Sequence, residues 1–212
     1  MTAKVETNLT PLQRYYRFHS YIYDATRWSF LFGRKRIIKI AAKHIDPQNI
    51  LEVGCGTGMN LVGLAQQFPD AKLTGVDLSG DMLSIAERKT ENNRERIKLL
   101  NKNYDTPITD LNGNTLKYDL ILFSYALSMF NPGWDQAIKT AKKQLSDDGV
   151  IVIVDFHHSE LKWFRQWMQV NHVKMQAHLL PMLDSLFTAK HSEQHNAYAG
   201  VWQYMMFIGK KT

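Results

Sequence analysis

The run Leu51-Glu52-Val53-Gly54-Cys55-Gly56-Thr57-Gly58 sets three glycines at alternate positions directly after an apolar stretch. Glycines so placed let a chain leaving a strand turn tightly and bring its backbone close to a ligand. A second apolar stretch ends in Val76-Asp77-Leu78-Ser79, with Asp77 lying 23 residues beyond Gly54. A carboxylate at that distance can take both ribose hydroxyls of an adenosine. A dinucleotide fingerprint would want its third glycine one place later, where Met59 stands, and the following helix lacks the Lys-Ser/Thr of a phosphate loop. The spacing is G-x-G-x-G, with the acid Glu52 two residues ahead of the first glycine. Cys55 sits inside the turn with no neighbouring base, so it reads as a small buried thiol lining the loop rather than as a nucleophile.

The elements that must position these groups follow from hydrophobic patterning. Asn49–Val53, Leu73–Asp77, Ile97–Asn101, Tyr118–Ser124 and Val150–Asp155 read as strands. Helices are expected over Met59–Phe68, Gly80–Asn92 and Trp134–Leu145. Strands that alternate with helices imply βαβ units and a parallel sheet, whose strands lose the period of two because both faces are covered. A further helix is expected over Leu161–Met175, crowded with Trp163, Phe164, Trp167 and Met168. Leu186–His191 and Val201–Ile208 lie too close together for a helical crossover and should pair antiparallel. Residues 10–44 read as two helical pieces broken near Gly33. The division expected is an N-terminal helical cap or acceptor segment, 1–44, and a cofactor-binding domain, 45–212.

The glycine turn resembles the first motif of class I S-adenosylmethionine-dependent methyltransferases, matched through Glu52, Gly54, Gly56 and Gly58. The resemblance extends over about residues 49–210. It implies an α/β fold, a Rossmann-like sheet, mostly parallel with a C-terminal antiparallel hairpin, plus N-terminal helices. It implies S-adenosylmethionine as cofactor and S-adenosylhomocysteine as product. By that resemblance Glu52, Gly54, Cys55, Gly56 and Gly58 form the cofactor turn around the methionine moiety, and Asp77 holds the ribose. Leu78 and Met82 pack on the adenine, and Ser124 and Tyr125 face the methyl-bearing sulfonium. The family often carries an acid after the third strand; Asn103 is the nearest match here, with Asp105 second.

The charge distribution bears on the methyl acceptor. The chain has 212 residues and a formal net charge of +6. Residues 1–43 hold nine basic and two acidic side chains, so the remainder is close to neutral. Eight of the 24 aromatic residues fall in Leu12–Phe32, interleaved with Arg14, Arg17 and Arg27. Such a segment suits a membrane interface or an aromatic cage for a quaternary ammonium; equally, its aromatics could cap the sheet over a solvated basic face. Tyr21-Ile22-Tyr23-Asp24-Ala25-Thr26-Arg27 with Leu31-Phe32-Gly33-Arg34, the string around Tyr125, and Val154-Asp155-Phe156-His157-His158 resemble the N-methyltransferase of bacterial betaine-lipid synthesis. That resemblance implies a lipid amine as acceptor at an anionic membrane surface, and as a further partner the enzyme that makes the amino lipid. Tyr23, Asp24, Tyr125 and His157 are the candidates for orienting the amine. Asp24 either attracts a cationic head group or pairs with Arg27 three residues on.

Other classes are set lower. A methyltransferase for a soluble amine would use the same core. A nucleic-acid partner would want cations throughout, which the near-neutral remainder does not supply. Six of the eight histidines lie between His157 and His195, including His191-x-x-x-His195, but without the cysteines or H-E-x-x-H of a metal site. One cysteine excludes an internal disulfide and favours a reducing compartment, and no apolar stretch reaches membrane-spanning length. The expectation is a cytoplasmic protein, peripheral at the inner membrane face.

Overall fold

The computed structural model describes residues 30–211. Its strands are β1 (Asn49–Val53), β2 (Lys72–Asp77), β3 (Ile97–Asn101), β4 (Tyr118–Ser124), β5 (Leu145–His158), β6 (Phe187–Ala197) and β7 (Trp202–Lys211). Its helices are α1 (Arg34–Ala41), α2 (Met59–Gln67), α3 (Gly80–Thr90), α4 (Trp134–Gln144), α5 (Lys162–Val170) and α6 (Leu179–Leu186). One seven-stranded sheet has the order β3-β2-β1-β4-β5-β7-β6. The first five strands run parallel, and β7 pairs antiparallel with both β5 and β6. The α/β sheet with a closing antiparallel hairpin is thus the fold the sequence implies.

Two apolar layers sandwich the sheet. One joins Ile37 and Ala41 of α1, Leu61 and Leu64 of α2, and Phe164 and Met168 of α5 to the β1 and β5 side chains Ile50 and Val152. The other joins Ile138 of α4 and Leu183 of α6 to Leu51, Phe123 and Phe207. Burying such side chains stabilises each by about 1.5–3 kcal/mol relative to exposure. Ile37 and Ala41 are fully buried, so α1 is built into the same core as the sheet it covers. Gly33, with φ 79°, turns the chain into α1; a side chain there would meet Tyr204 at 2.8 Å. The first of the two expected N-terminal helical pieces lies outside the described residues.

The carboxyl-terminal third departs from the sequence reading. The helix expected over 161–175 stops at Val170, because His172 adopts a left-handed φ of 61°. The chain then runs irregularly, held by Lys174 N–H donating to the Ser128 carbonyl at 2.8 Å and Ala177 N–H donating to the His157 carbonyl at 2.9 Å. α6 was not anticipated. Pro181 looks like a breaker in sequence, but it falls in the first turn, where a missing N–H costs no helical bond. β5 also begins earlier than expected, with an irregular register between its pairings at Tyr118 and Leu120 that takes in Gly149.

Candidate active site

The parallel strands all end at one edge of the sheet, and the chain leaves β1 toward β2 on one side while β4 lies on the other. Open α/β sheets bind ligands in the crevice at such a reversal. Here the Gly54–Gly58 turn crosses that crevice. Gly54 and Cys55 both donate backbone N–H bonds to the Val76 carbonyl, at 2.8 and 3.0 Å. Asp77 Oδ2 accepts from Gly56 N–H at 2.8 Å, and Oδ1 accepts from Ser79 N–H at 2.9 Å. The carboxylate therefore shapes the turn as well as facing the crevice. Ser79 caps α3 by accepting from Met82 N–H.

Close approach explains the glycines. A Cβ on Gly58 would lie 2.9 Å from the Ala86 Cβ of α3, whereas one on Gly56 would meet no atom of the described residues within 4 Å. Gly58 admits a helix; Gly56 leaves open space for a ligand. The cavity beside it has a volume of about 400 Å³, and Gly54, Gly56, Asp77, Leu78, Met82 and Asn103 line one end. Ser124, Tyr125 and the 129–133 loop line the other.

Electrostatics divide the expected residues by role. Glu52 lies beneath the turn, almost wholly buried; Asn60 Nδ2 donates to its Oε1 at 2.7 Å, and Oε2 has no partner. Desolvation pushes its carboxyl up to about 8, against the opposing pull of Asn60 and Arg34. Cys55 packs against Gly75, outside the cavity lining, and burial pushes its thiol up. The carbonyl oxygen of Asn103 accepts from Tyr104 N–H, and its amide donates to Asp105. Ser124 lines the cavity with a buried hydroxyl that finds no hydrogen-bond partner among the described residues. An adenosine ribose for Asp77 and polar ligand groups for Ser124 fit this donor and acceptor set.

The four candidates for orienting an amine are not brought together within the described residues. Tyr125 lines the cavity at φ 55°, but its hydroxyl donates 2.9 Å to the Phe32 carbonyl and its ring meets Phe156 edge-on. Burial, with Asp155 nearby, pushes that hydroxyl well above its ordinary pKa. His157 lies outside the cavity lining; its Nδ1 is buried without a partner, and desolvation lowers its pKa. Its neighbour His178 stacks edge-on against Trp134 at 4.6 Å between ring centres. Burial first, then Lys174 and His157, lower His178 to about 4. Tyr23 and Asp24 lie outside the described residues.

Three features escaped the sequence reading. Asp155 is fully buried, accepts from Ser128 N–H at 3.2 Å, and so fixes the turn that follows β4. A lone acid closing the apolar run Val150–Val154 was the available signal. Asn101 donates its amide to the Asp77 and Leu78 carbonyls, bracing the ribose-facing loop. The loop from Met129 to Gly133, with Gln136, walls the cavity where no periodic pattern pointed to it. On β6, Glu193 lies 2.7 Å from His195 and 2.9 Å from Arg36, so His195 belongs to a polar cluster on the sheet edge. Among the described residues no group of three or more His, Cys, Asp or Glu is placed to hold a metal ion.

A family described as a methyltransferase domain matches residues 22–192. The chain belongs to this family. Residues 22–192 are thus a methyltransferase domain of that family. A malonyl-[acyl-carrier protein] O-methyltransferase from Priestia megaterium is 35% identical over 107 residues, covering 50% of this chain and 36% of that protein. A carboxy-S-adenosyl-L-methionine synthase from Campylobacter hominis is 30% identical over 111 residues, 52% of this chain and 45% of that one. The methyltransferase thus spans less than half the length of these curated relatives. In fold it is similar to the N-methyltransferase NodS from Bradyrhizobium japonicum, solved with S-adenosylhomocysteine. That likeness has a TM-score of 0.76 at 16% identity and covers 95% of this chain and 99% of NodS. A 1,6-didemethyltoxoflavin-N1-methyltransferase from Burkholderia thailandensis gives 0.69 at 16% identity, covering 99% and 94%.

Proposed function

We propose that this methyltransferase methylates a nitrogen, and that the nitrogen belongs to a lipid head group of the betaine-lipid type. The observation that carries the lipid reading is the exposed apolar surface along the carboxyl edge of the sheet, of which Leu78 lines the cavity. Nine large apolar side chains are exposed among the described residues. All but Leu111 belong to segments at the carboxyl edge of the sheet, where the cavity opens. A water-soluble acceptor would not call for that distribution, whereas an acceptor carried on acyl chains would. The resemblance of the Tyr21–Arg34 opening to a lipid N-methyltransferase supports the same reading.

S-adenosylmethionine, when bound, supplies an electrophilic methyl group on a sulfonium. The chain's own groups bind and align. Asp77 takes the ribose, Leu78 and Met82 flank the adenine, and the Gly54–Gly58 turn admits the methionine portion. Ser124 offers its unsatisfied hydroxyl at the junction with the acceptor end. Alignment of an amine lone pair with the methyl carbon supplies much of the rate in such displacements. The acceptor's ammonium needs only to lose its proton beforehand to free that lone pair, and an open cavity lets water take it.

The test supplies cofactor with diacylglycerylhomoserine in detergent micelles and, separately, with a water-soluble amine of the same head-group chemistry. Mass spectrometry should find methyl groups on the lipid. Turnover of the soluble amine alone would overturn the lipid assignment, and no N-methyl product from either would overturn amine methylation altogether.

A further inference from the structure

α5 carries apolar side chains on two faces. Phe164 and Met168 point into the core and are buried. Trp163, Trp167 and Val170, at i, i+4 and i+7, are 62%, 49% and 78% exposed. A helix on a water-facing surface needs only one apolar stripe. The second stripe is continued by neighbouring rings. Phe30 lies 6.1 Å from Trp167 and 6.0 Å from Tyr198, and Tyr198 meets Phe32 edge-on at 5.5 Å. Tyr198 sits at the tip of the β6–β7 hairpin, so this aromatic surface borders the same edge as the cavity mouth.

Cations predominate on this surface, with Glu160 just before α5 and Glu193 beside Arg36 as the acidic exceptions. No Asp or Glu occurs between Glu160 and Asp184, a stretch that includes Lys162, Arg165 and Lys174. None occurs between Asp24 and Asp46, which takes in all of α1 with its exposed Lys35, Lys39 and Lys43 flank. Beside α5 a groove of about 380 Å³ is lined by Lys162, Arg165, Lys174 and the amides of Gln166 and Gln169. Arg165 is held in place by donating to the Ser159 carbonyl. Indole rings, with cations and amide donors around them, match a lipid interface: rings enter the head-group layer and cations meet phosphates.

We propose that α5 is an interfacial anchor, with Trp163, Trp167 and Val170 entering an anionic bilayer and the adjoining Lys162–Lys174 groove receiving a head-group phosphate. The anchor sets the cavity mouth against the membrane and so shortens the path of a lipid from bilayer to cofactor. It names the surface through which the lipid-acceptor reading would operate and rests on that reading for its purpose. The binding itself needs no amine.

The experiment uses the full chain and vesicles free of amino lipids. Flotation is measured with pure phosphatidylcholine and with about 30% phosphatidylglycerol added, alongside tryptophan quenching by brominated acyl chains. The unsubstituted protein should partition at least about tenfold more strongly to the anionic vesicles, with its tryptophan emission quenched. W163A/W167A should lose at least about tenfold in partitioning, and K162Q/K174Q should lose the preference for anionic lipid. Both variants should keep their melting temperature and their affinity for S-adenosylhomocysteine, since neither touches the cavity. Equal partitioning of W163A/W167A and the parent protein would overturn the anchor. So would self-association that the double variant abolishes, or capture of an acidic carrier protein in place of vesicles. If vesicles bind but the micellar amino lipid is not methylated, the anchor stands and the acceptor assignment falls.

Discussion

The carboxyl edge of the sheet has two halves built on opposite plans. Over β1, β2 and β3, polar groups are engaged inside the protein: Asp77 grips the glycine turn, Asn101 braces the loop behind it, and Ser79 caps α3. Over β5, β7 and β6 the surface carries exposed rings and cations, with Trp163 and Trp167 facing outward. The first plan gives a pre-shaped site that loses little entropy when a small polar molecule enters. The second gives a surface that is stable only because it is small, and that gains by being covered. A cofactor common to many enzymes can be met by a rigid site, whereas the acceptor must be delivered by whatever carries it.

The comparison breaks if either half influences the other's ligand. The largest expected effect is Asp77→Ala, which removes the charge-assisted bonds from Gly56 N–H and Ser79 N–H together with the proposed ribose contact; cofactor affinity should fall by about 10³-fold in calorimetry. Vesicle binding should be unchanged. Next comes Glu52→Gln. The folded-state carboxyl is raised to about 8, so between pH 4.5 and 8 the unfolded chain binds fewer protons and stability falls as pH rises. Gln cannot ionise, so the variant should lack this slope, a difference on the order of 3 kcal/mol in denaturant titrations at pH 5 and pH 8. Gly58→Ala forces a Cβ against Ala86 and imposes a left-handed conformation on alanine. It should cost about 2 kcal/mol, read as a lowered melting temperature, with any loss of cofactor affinity again confined to the first half. The smallest effect belongs to the second half. His178 titrates near 4 when folded, so the unfolded chain binds more protons below about pH 6.5 and stability falls as pH drops through that window. Because the ring is partly exposed, solvent screening reduces the effect, and His178→Phe should recover only about 1 kcal/mol at pH 5.

The same division marks what was legible in sequence. The strand limits Asn49–Val53, Ile97–Asn101 and Tyr118–Ser124 could be read directly, because buried parallel strands are continuous apolar runs. The turn and Asp77 were readable because backbone approach to a ligand restricts residue types at fixed spacing. Beyond β5 the local rules were overruled. Whether a helix passes residue 170 depends on His172, whose left-handed backbone is accompanied by bonds from 174 to the turn after β4 and from 177 to β5. Pro181 hid α6 because its position within a helix, not its presence, decides whether it is tolerated. Among site residues, Tyr125 was found by its place after β4, but the direction of its hydroxyl depends on Phe32, 93 positions away, which no periodicity records.

That bond from Tyr125 to the Phe32 carbonyl joins the residue beside the cavity to the chain just before α1. A side chain lining the crevice therefore holds the backbone just before α1, and a displacement of that backbone is felt at the crevice wall. Tyr125→Phe would cut this rivet while keeping the ring in its seat against Phe156. The Phe32 backbone would then be free to shift without the crevice wall following it, so the two could be engineered independently.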